Sequence, residues 1–206
     1  MPRRGWALWS FLGNDLLTML VQTGRKPNYI RPKVTGATIF FTVALAESGS
    51  DLLLRQVDRL CEAVRLTKVE RPFEIGAMVV LPDHLHAVWT LPSGDADFSV
   101  RWGAIKGRFS QSLGRAGFSP PLAEGGGVNP ALRRKGEAGI WQRRFWKHRI
   151  RSEADLAMHL RYCWQDPVRH GLVARAEDWS CSSIHREMRA GRVGERRSVV
   201  AVRMAG

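Results

Sequence analysis

Three cysteines in 206 residues, Cys61, Cys163 and Cys181, are too few and too scattered for a disulfide frame, and no Cys-x-x-Cys pair is there to hold zinc. They read as reduced thiols. Acid is scarce as well: 19 Asp and Glu stand against 32 Lys and Arg, and the resulting +13 favours a polyanion such as nucleic acid or an acidic membrane surface. Long apolar runs are missing. The stretch from Trp6 to Val21, behind Met1-Pro2-Arg3-Arg4, looks superficially like a signal sequence, but Gly13, Asn14 and Asp15 interrupt it and no small-residue cleavage site follows. It is also too short to span a bilayer. No glycine-rich phosphate loop or Walker-type lysine occurs, so nucleotide hydrolysis is unsupported. These absences point to a cytoplasmic protein with no membrane partner and one domain of ordinary size. Residues 1–27 read as a poorly packed N-terminal extension and 191–206 as a flexible tail.

The positive charge is concentrated. Residues 133–151 hold Arg133, Arg134, Lys135, Arg143, Arg144, Lys147, Arg149 and Arg151 against Glu137 alone, interleaved with Trp141, Phe145 and Trp146. Cations for phosphates beside flat rings for unstacked bases are what single-stranded nucleic acid requires. Trp141 and Phe145 also suit burial, in which case the charges form a solvated face above core aromatics.

Along the chain, Thr38 to Leu45 is rich in β-branched and aromatic residues and predicts a strand. Ser50 is placed to cap a helix in which Leu53, Val57, Leu60 and Val64 recur at helical spacing, ending before Pro72. Phe73 to Leu81 predicts a strand, and Pro82-Asp83 a tight turn into another from His84 to Leu91. A second helix from Ser99 puts Trp102, Ile105, Phe109 and Leu113 on one stripe. Residues 114–139 carry seven glycines and three prolines and read as a mobile loop. Gly139 to Trp146 suggests a strand. Ser152 with Asp155 resembles a capping box opening a helix that Pro167 should stop. The order is that of an α+β, ferredoxin-like β-α-β-β-α-β antiparallel sheet with helices on one face, plus an appended C-terminal helix carrying Tyr162.

In an extended strand, side chains two apart share a face, so His84 and His86 project together while Leu85 and Ala87 turn away. On a helix Tyr162 and Asp166 sit one turn apart, so a phenol and a carboxylate can meet the two imidazoles. Two imidazoles and a carboxylate suit Mg²⁺ or Mn²⁺ when water and substrate oxygens complete the shell. Such an ion offsets the charge of a phosphodiester, and Tyr162, one of only two tyrosines, is the candidate covalent nucleophile. A phosphotyrosine conserves the bond energy, so a cut strand can be rejoined without ATP. Read singly, a His-x-His pair is more often a surface or hydrogen-bonded pair, and a lone tyrosine is more often packing. His148 suits a phosphate contact, His170 beside Gly171 a helix end favoured by the dipole, and Trp179 and His185 suit packing.

The combination is more specific than its parts. Leu81-Pro82-Asp83-His84-Leu85-His86 with Trp89, the run from Gly136 through Trp141-Gln142-Arg143-Arg144-Phe145-Trp146-Lys147-His148, and Tyr162 followed by Pro167-Val168-Arg169-His170-Gly171-Leu172-Val173 closely resemble the REP-associated tyrosine transposases. These are domesticated relatives of the single-tyrosine HUH transposases, which cut and join single-stranded DNA near hairpins. The resemblance runs from about Asn28 to Arg186, within a transposase-like domain spanning 28–190. It implies that His84 and His86 are the HUH metal ligands, that Tyr162 is the nucleophile of a 5′-phosphotyrosine intermediate, and that REP-like hairpins are the partner of a nucleoid-associated protein. Asn28-Tyr29-Ile30-Arg31 matches the basic segment that reads a tetranucleotide beside the hairpin, which makes Asn28, Tyr29 and Arg31 DNA-binding candidates beside Arg143, Arg144, Lys147, His148, Arg149 and Arg151. Asp166 stands where the family usually has asparagine. It should bind a cation at least as well, yet it adds negative charge near the scissile phosphate, so a catalytically impaired hairpin-binding protein is the alternative. One chain carries every group, which favours a monomer over a homodimer.

Overall fold

Alternation along the strands decides which side chains meet. The computed structural model describes residues 34–115 and 139–193. The expected extension, almost all of the Gly/Pro-rich loop, most of the expected tail, and Asn28, Tyr29 and Arg31 lie outside the described residues. In β1 (Thr38–Ala44) Ile39, Phe41 and Val43 join one core, while Phe40 joins the other. Strands β2 (Glu74–Val80) and β3 (His84–Thr90) form the expected hairpin. β3 then pairs antiparallel with β1, and β1 with β4 (Trp146–Arg149), giving the order β2-β3-β1-β4. That is the ferredoxin-like arrangement the element order implies.

One face is covered by α1 (Leu52–Arg55), α2 (Val57–Glu70) and α3 (Phe98–Arg115), whose Trp102, Ile105, Phe109 and Leu113 are all buried. The single helix expected after Ser50 is two, interrupted at Gln56 (φ −121°, ψ 27°). Asp51 takes the cap position without a side-chain cap bond. Ser50 Oγ only accepts from the Leu52 N–H, at 3.4 Å. In this core Trp89 is fully buried, stacked on Trp102 at 4.1 Å and against Phe73 at 4.2 Å. Trp89→Ala is expected to cost roughly 3–5 kcal/mol, read from the shift of the urea midpoint at unchanged slope.

The opposite face carries α4 (Glu153–Arg169), a 3₁₀ turn (Ala176–Asp178) and α5 (Ile184–Arg189), packed through Leu160, Cys163, Trp164, Ala176 and Ile184 onto Phe40, Ala77, Val79 and Val88. Ser152 Oγ accepts from the Asp155 N–H at 3.1 Å, as the capping motif predicts. Pro167 does not stop the helix. Its ring is buried and α4 runs on to Arg169, with His170 as C-cap. The end is closed instead by Gly171 (φ +67°), whose N–H donates to Val168 O while that of Leu172 donates to Pro167 O. This is a Schellman closure, for which the left-handed conformation of glycine is suited.

The strand expected over 139–146 is shifted toward the C-terminus. Trp141 makes only an isolated bridge to Leu45, and regular pairing starts at Trp146. The upstream aromatics serve the first core instead: Trp141 lies 5.4 Å from Phe109 and Phe145 5.9 Å from Phe41. All three cysteines are free thiols. Among the described residues no helix is long and apolar enough to cross a membrane.

Candidate metal and nucleophile site

His84 and His86 occupy the face of β3 turned to α4, while Leu85 and Ala87 enter the other core, as period-two alternation predicts. Each imidazole is held from behind through Nδ1. His86 Nδ1 lies 2.9 Å from Oγ1 of Thr42, its register partner on β1. His84 Nδ1 lies 2.7 Å from Asp83 Oδ1, and the Asp83 carboxylate also accepts from the Gly49 N–H at 2.6 Å. Outer partners of this kind orient metal-ligating histidines.

The free ends of the rings converge on one oxygen. Asp166 Oδ2 is 3.0 Å from His86 Nε2, 3.4 Å from His84 Nε2 and 3.2 Å from His170 Nε2. His84, His86 and Asp166 are buried, and their ligand atoms lie within 4.8 Å of one another. Tyr162, one helical turn before Asp166, is half-buried. Its ring stands edge-on to His86 at 5.3 Å and to Phe40 at 5.7 Å, with the Arg169 guanidinium 4.6 Å from its centroid. The phenol and the imidazole pair therefore lie on the same side of the sheet.

Burial disfavours charge on every group here, but the pairings decide each outcome. Burial pulls His84 down, yet Asp166 and Asp83 outweigh it and push the imidazole up to about 9. His86, buried and beside two other imidazoles, falls below its ordinary value despite Asp166. Against its own burial, Asp166 is held well below the usual carboxylate range by His170, His84 and His86. Tyr162 is pushed up by burial and by the Asp166 carboxylate.

A second His–Asp–His group sits nearby. His148 Nε2 lies 3.0 Å and His159 Nδ1 2.9 Å from the Asp155 carboxylate. The two rings are stacked at 4.5 Å with planes only 11° apart. Both ring nitrogens reach the same Asp155 oxygen, at 3.1 and 2.9 Å, and His159 Nδ1 also lies 2.9 Å from the Asp155 backbone carbonyl. The group is a hydrogen-bonded clamp tying β4 to α4, and His148, expected to meet phosphate, is engaged in it.

Of the expected DNA contacts, Arg143, Arg144, Arg149 and Arg151 are exposed. Alternation splits β4: Trp146 and His148 pair with Thr42 and Phe40 on the site side, whereas Lys147 and Arg149 face the other way. Lys147 Nζ sits 4.0 Å over the Phe98 ring. Arg149 and Arg151 instead line a cleft of about 510 Å³ at the start of α4. Sequence reasoning does not find Thr42 and Phe40 as site residues because their roles depend on pairing across strands; Asp83, next to His84 in sequence, reads there only as part of a turn. In the sequence His170 marks only a helix end; its spacing of four from Asp166 places it at the site once α4 continues through Pro167.

No family model matches the chain. A REP-associated tyrosine transposase from Escherichia coli (strain K12) is 40% identical over 163 residues, covering 79% of this chain and 86% of that protein. A relative from Haemophilus influenzae is 36% identical over 163 residues, again 79% of this chain and 88% of its own length. A solved structure of a REP-associated tyrosine transposase bound to a REP hairpin aligns with a TM-score of 0.67 at 39% identity, covering 86% of this chain and 90% of that one. Identity at this level across most of each sequence, joined to one backbone architecture, means common descent: the chain belongs to the REP-associated tyrosine transposases.

Proposed function

We propose that this protein binds REP-like single-stranded DNA hairpins and cuts and rejoins a strand through Tyr162. The observation that carries the reading is the placement of the Tyr162 ring against His86 beside the convergent His84, His86 and Asp166. The hairpin held by the solved relative supports the choice of DNA partner. In the reaction the Tyr162 oxygen loses its proton and bonds phosphorus, and the bond to the 3′ oxygen breaks. The products are a 5′-phosphotyrosine and a free 3′ hydroxyl, whose return attack rejoins the strand. The donor set of two imidazoles and a carboxylate, braced by Thr42 and Asp83, fits a hard or borderline divalent cation. Mg²⁺ or Mn²⁺ held by His84, His86 and Asp166 would offset charge on the nonbridging oxygens. The chain's own contribution is to hold the phenol in place against Phe40 and His86.

Arg143, Arg144, Arg149 and Arg151 are assigned to phosphates, with His148 and Lys147 in supporting positions and Asn28, Tyr29 and Arg31 to base reading. A single chain supplies nucleophile and ligands, which supports a monomer; a place at the nucleoid in the cytoplasm would follow from the DNA partner proposed. Arg144→Ala should weaken binding to every hairpin alike and flatten the salt slope by about one unit, measured by titration at several salt concentrations. Loss for one sequence only would make Arg144 a base reader.

The deciding experiment incubates the protein with a REP-like hairpin oligonucleotide and Mn²⁺, then looks for a protein–DNA adduct stable on a denaturing gel. An adduct that chelator removes supports the reading. A second reading is favoured by the Asp166 carboxylate, which opposes ionisation of the phenol: a hairpin-binding protein with impaired catalysis. Tight, chelator-insensitive binding without an adduct under any cation would select it.

A further inference from the structure

Trp146 is the one aromatic among the exposed large hydrophobic side chains of the described residues, 41% exposed, in a segment otherwise dominated by cations. Exposure alone means little, since single apolar side chains are common on surfaces. Its position is what matters. On β4 it pairs with Thr42 of β1, which pairs with His86 of β3, so the indole stands on the site side of the sheet in the same cross-strand row as a proposed cation ligand. Two strand spacings amount to about 10 Å, a span of roughly one or two extended nucleotides.

The ring is also held in orientation. One edge meets Phe40 at 5.6 Å, the same Phe40 whose ring contacts Tyr162 and His86. Its plane lies 9° from that of His148 at 6.1 Å, and His148 is in turn near-parallel with His159 at 4.5 Å, with Asp155 tying both imidazoles in place. The result is a column of parallel rings anchored at its inner end by a carboxylate and bearing an indole with open surface at its outer end. Trp141 and Phe145 have no such freedom, because their rings pack against Phe109 and Phe41.

We infer that Trp146 is a stacking platform for one unpaired nucleobase lying within a nucleotide or two of the phosphate that Tyr162 attacks. The inference rests on the DNA-cleaving reading above and specifies how its substrate is held. A fixed indole needs no reordering when a base arrives, and a base still paired in a duplex cannot offer its face, so the platform selects single-stranded DNA at the cut. Since every base has a π-face, it adds affinity and register without reading sequence.

The test scans a REP-like hairpin oligonucleotide with abasic substitutions on either side of the cleaved position, against wild-type protein, Trp146→Ala and Trp146→Phe. Trp146→Ala should weaken binding by roughly 5- to 150-fold, with Trp146→Phe recovering most of the loss. At one abasic position the wild type should lose a similar factor and Trp146→Ala nothing further. That non-additivity stays readable even if the variant melts at a lower temperature, because it compares two oligonucleotides on one protein. If wild type binds and forms its adduct while Trp146→Ala matches it, or if the two losses multiply at every position, the platform is wrong and the DNA-cleaving reading stands. If wild type binds no hairpin at all, that reading fails and takes the platform with it.

Discussion

Tyr162→Phe is expected to abolish the covalent adduct, lowering strand cleavage on the order of 10⁴-fold or more, the scale of losing a nucleophile, while leaving hairpin affinity within about twofold. The substitution removes one oxygen and keeps the ring that packs edge-on against Phe40 and His86, so neither core nor cation ligands are disturbed. Burial and the neighbouring carboxylate raise the phenol's pKa, so the apoprotein gives Tyr162 no intrinsic advantage as an anion. In the proposed reaction the rate would come from placement and from the positive charge of a cation held by His84, His86 and Asp166. The measurement is a denaturing gel with labelled hairpin beside a native binding titration. Persistence of the adduct in the phenylalanine variant would assign the nucleophile to another side chain.

The second large effect concerns the imidazole pair. His84→Ala or His86→Ala should lower Mn²⁺ affinity by at least about tenfold to a hundredfold and lose the adduct at micromolar cation, without weakening hairpin binding in chelator. The pH dependence follows from His84. Its imidazole is raised to about 9, so below that pH a proton occupies the nitrogen a cation needs. In chelated protein that proton favours the folded state: the contribution is fully present below the ordinary histidine value near 6.5 and is lost as pH rises through about 9. Cation binding has the opposite sign. Mn²⁺ affinity should climb by up to about tenfold per pH unit toward 9, and the rise in melting temperature on adding Mn²⁺ should be larger at pH 8.5 than at pH 6.5. An unchanged Mn²⁺ shift across that range would exclude His84 as a ligand.

Local periodicity makes the placement of the polar side chains on β3 and α4 legible. Alternation alone put His84 and His86 on one face, and a spacing of four put Tyr162 and Asp166 together. The same rules reached Trp102, Ile105, Phe109 and Leu113. What could not be read locally was anything decided by a partner far along the chain. Thr42 became a brace only because β1 lies beside β3, a pairing of residues 44 apart. Trp141 and Phe145 carry strong strand propensity and predict β4 too early, because in the structure they are drawn into the side of a core, which breaks alternation. The missing N–H of Pro167 predicts a stop, yet it costs α4 a single hydrogen bond close to the terminus, where burial of the ring and the Gly171 closure keep the last turn. A helix ended at Pro167 leaves out His170, which the continued helix brings to Asp166.

Because α4 continues past Pro167, the phenol, the carboxylate and His170 are mounted on one rod at successive turns, while the other two imidazoles are fixed to the sheet. The two halves of the site are thus calibrated by a single joint, the apolar seam of Leu160, Cys163 and Trp164 on Phe40, Val79 and Val88. In the proposed reaction, wear at that seam would displace attacking group and carboxylate in concert, so mutations there are expected to degrade cation capture and strand attack in proportion instead of uncoupling them.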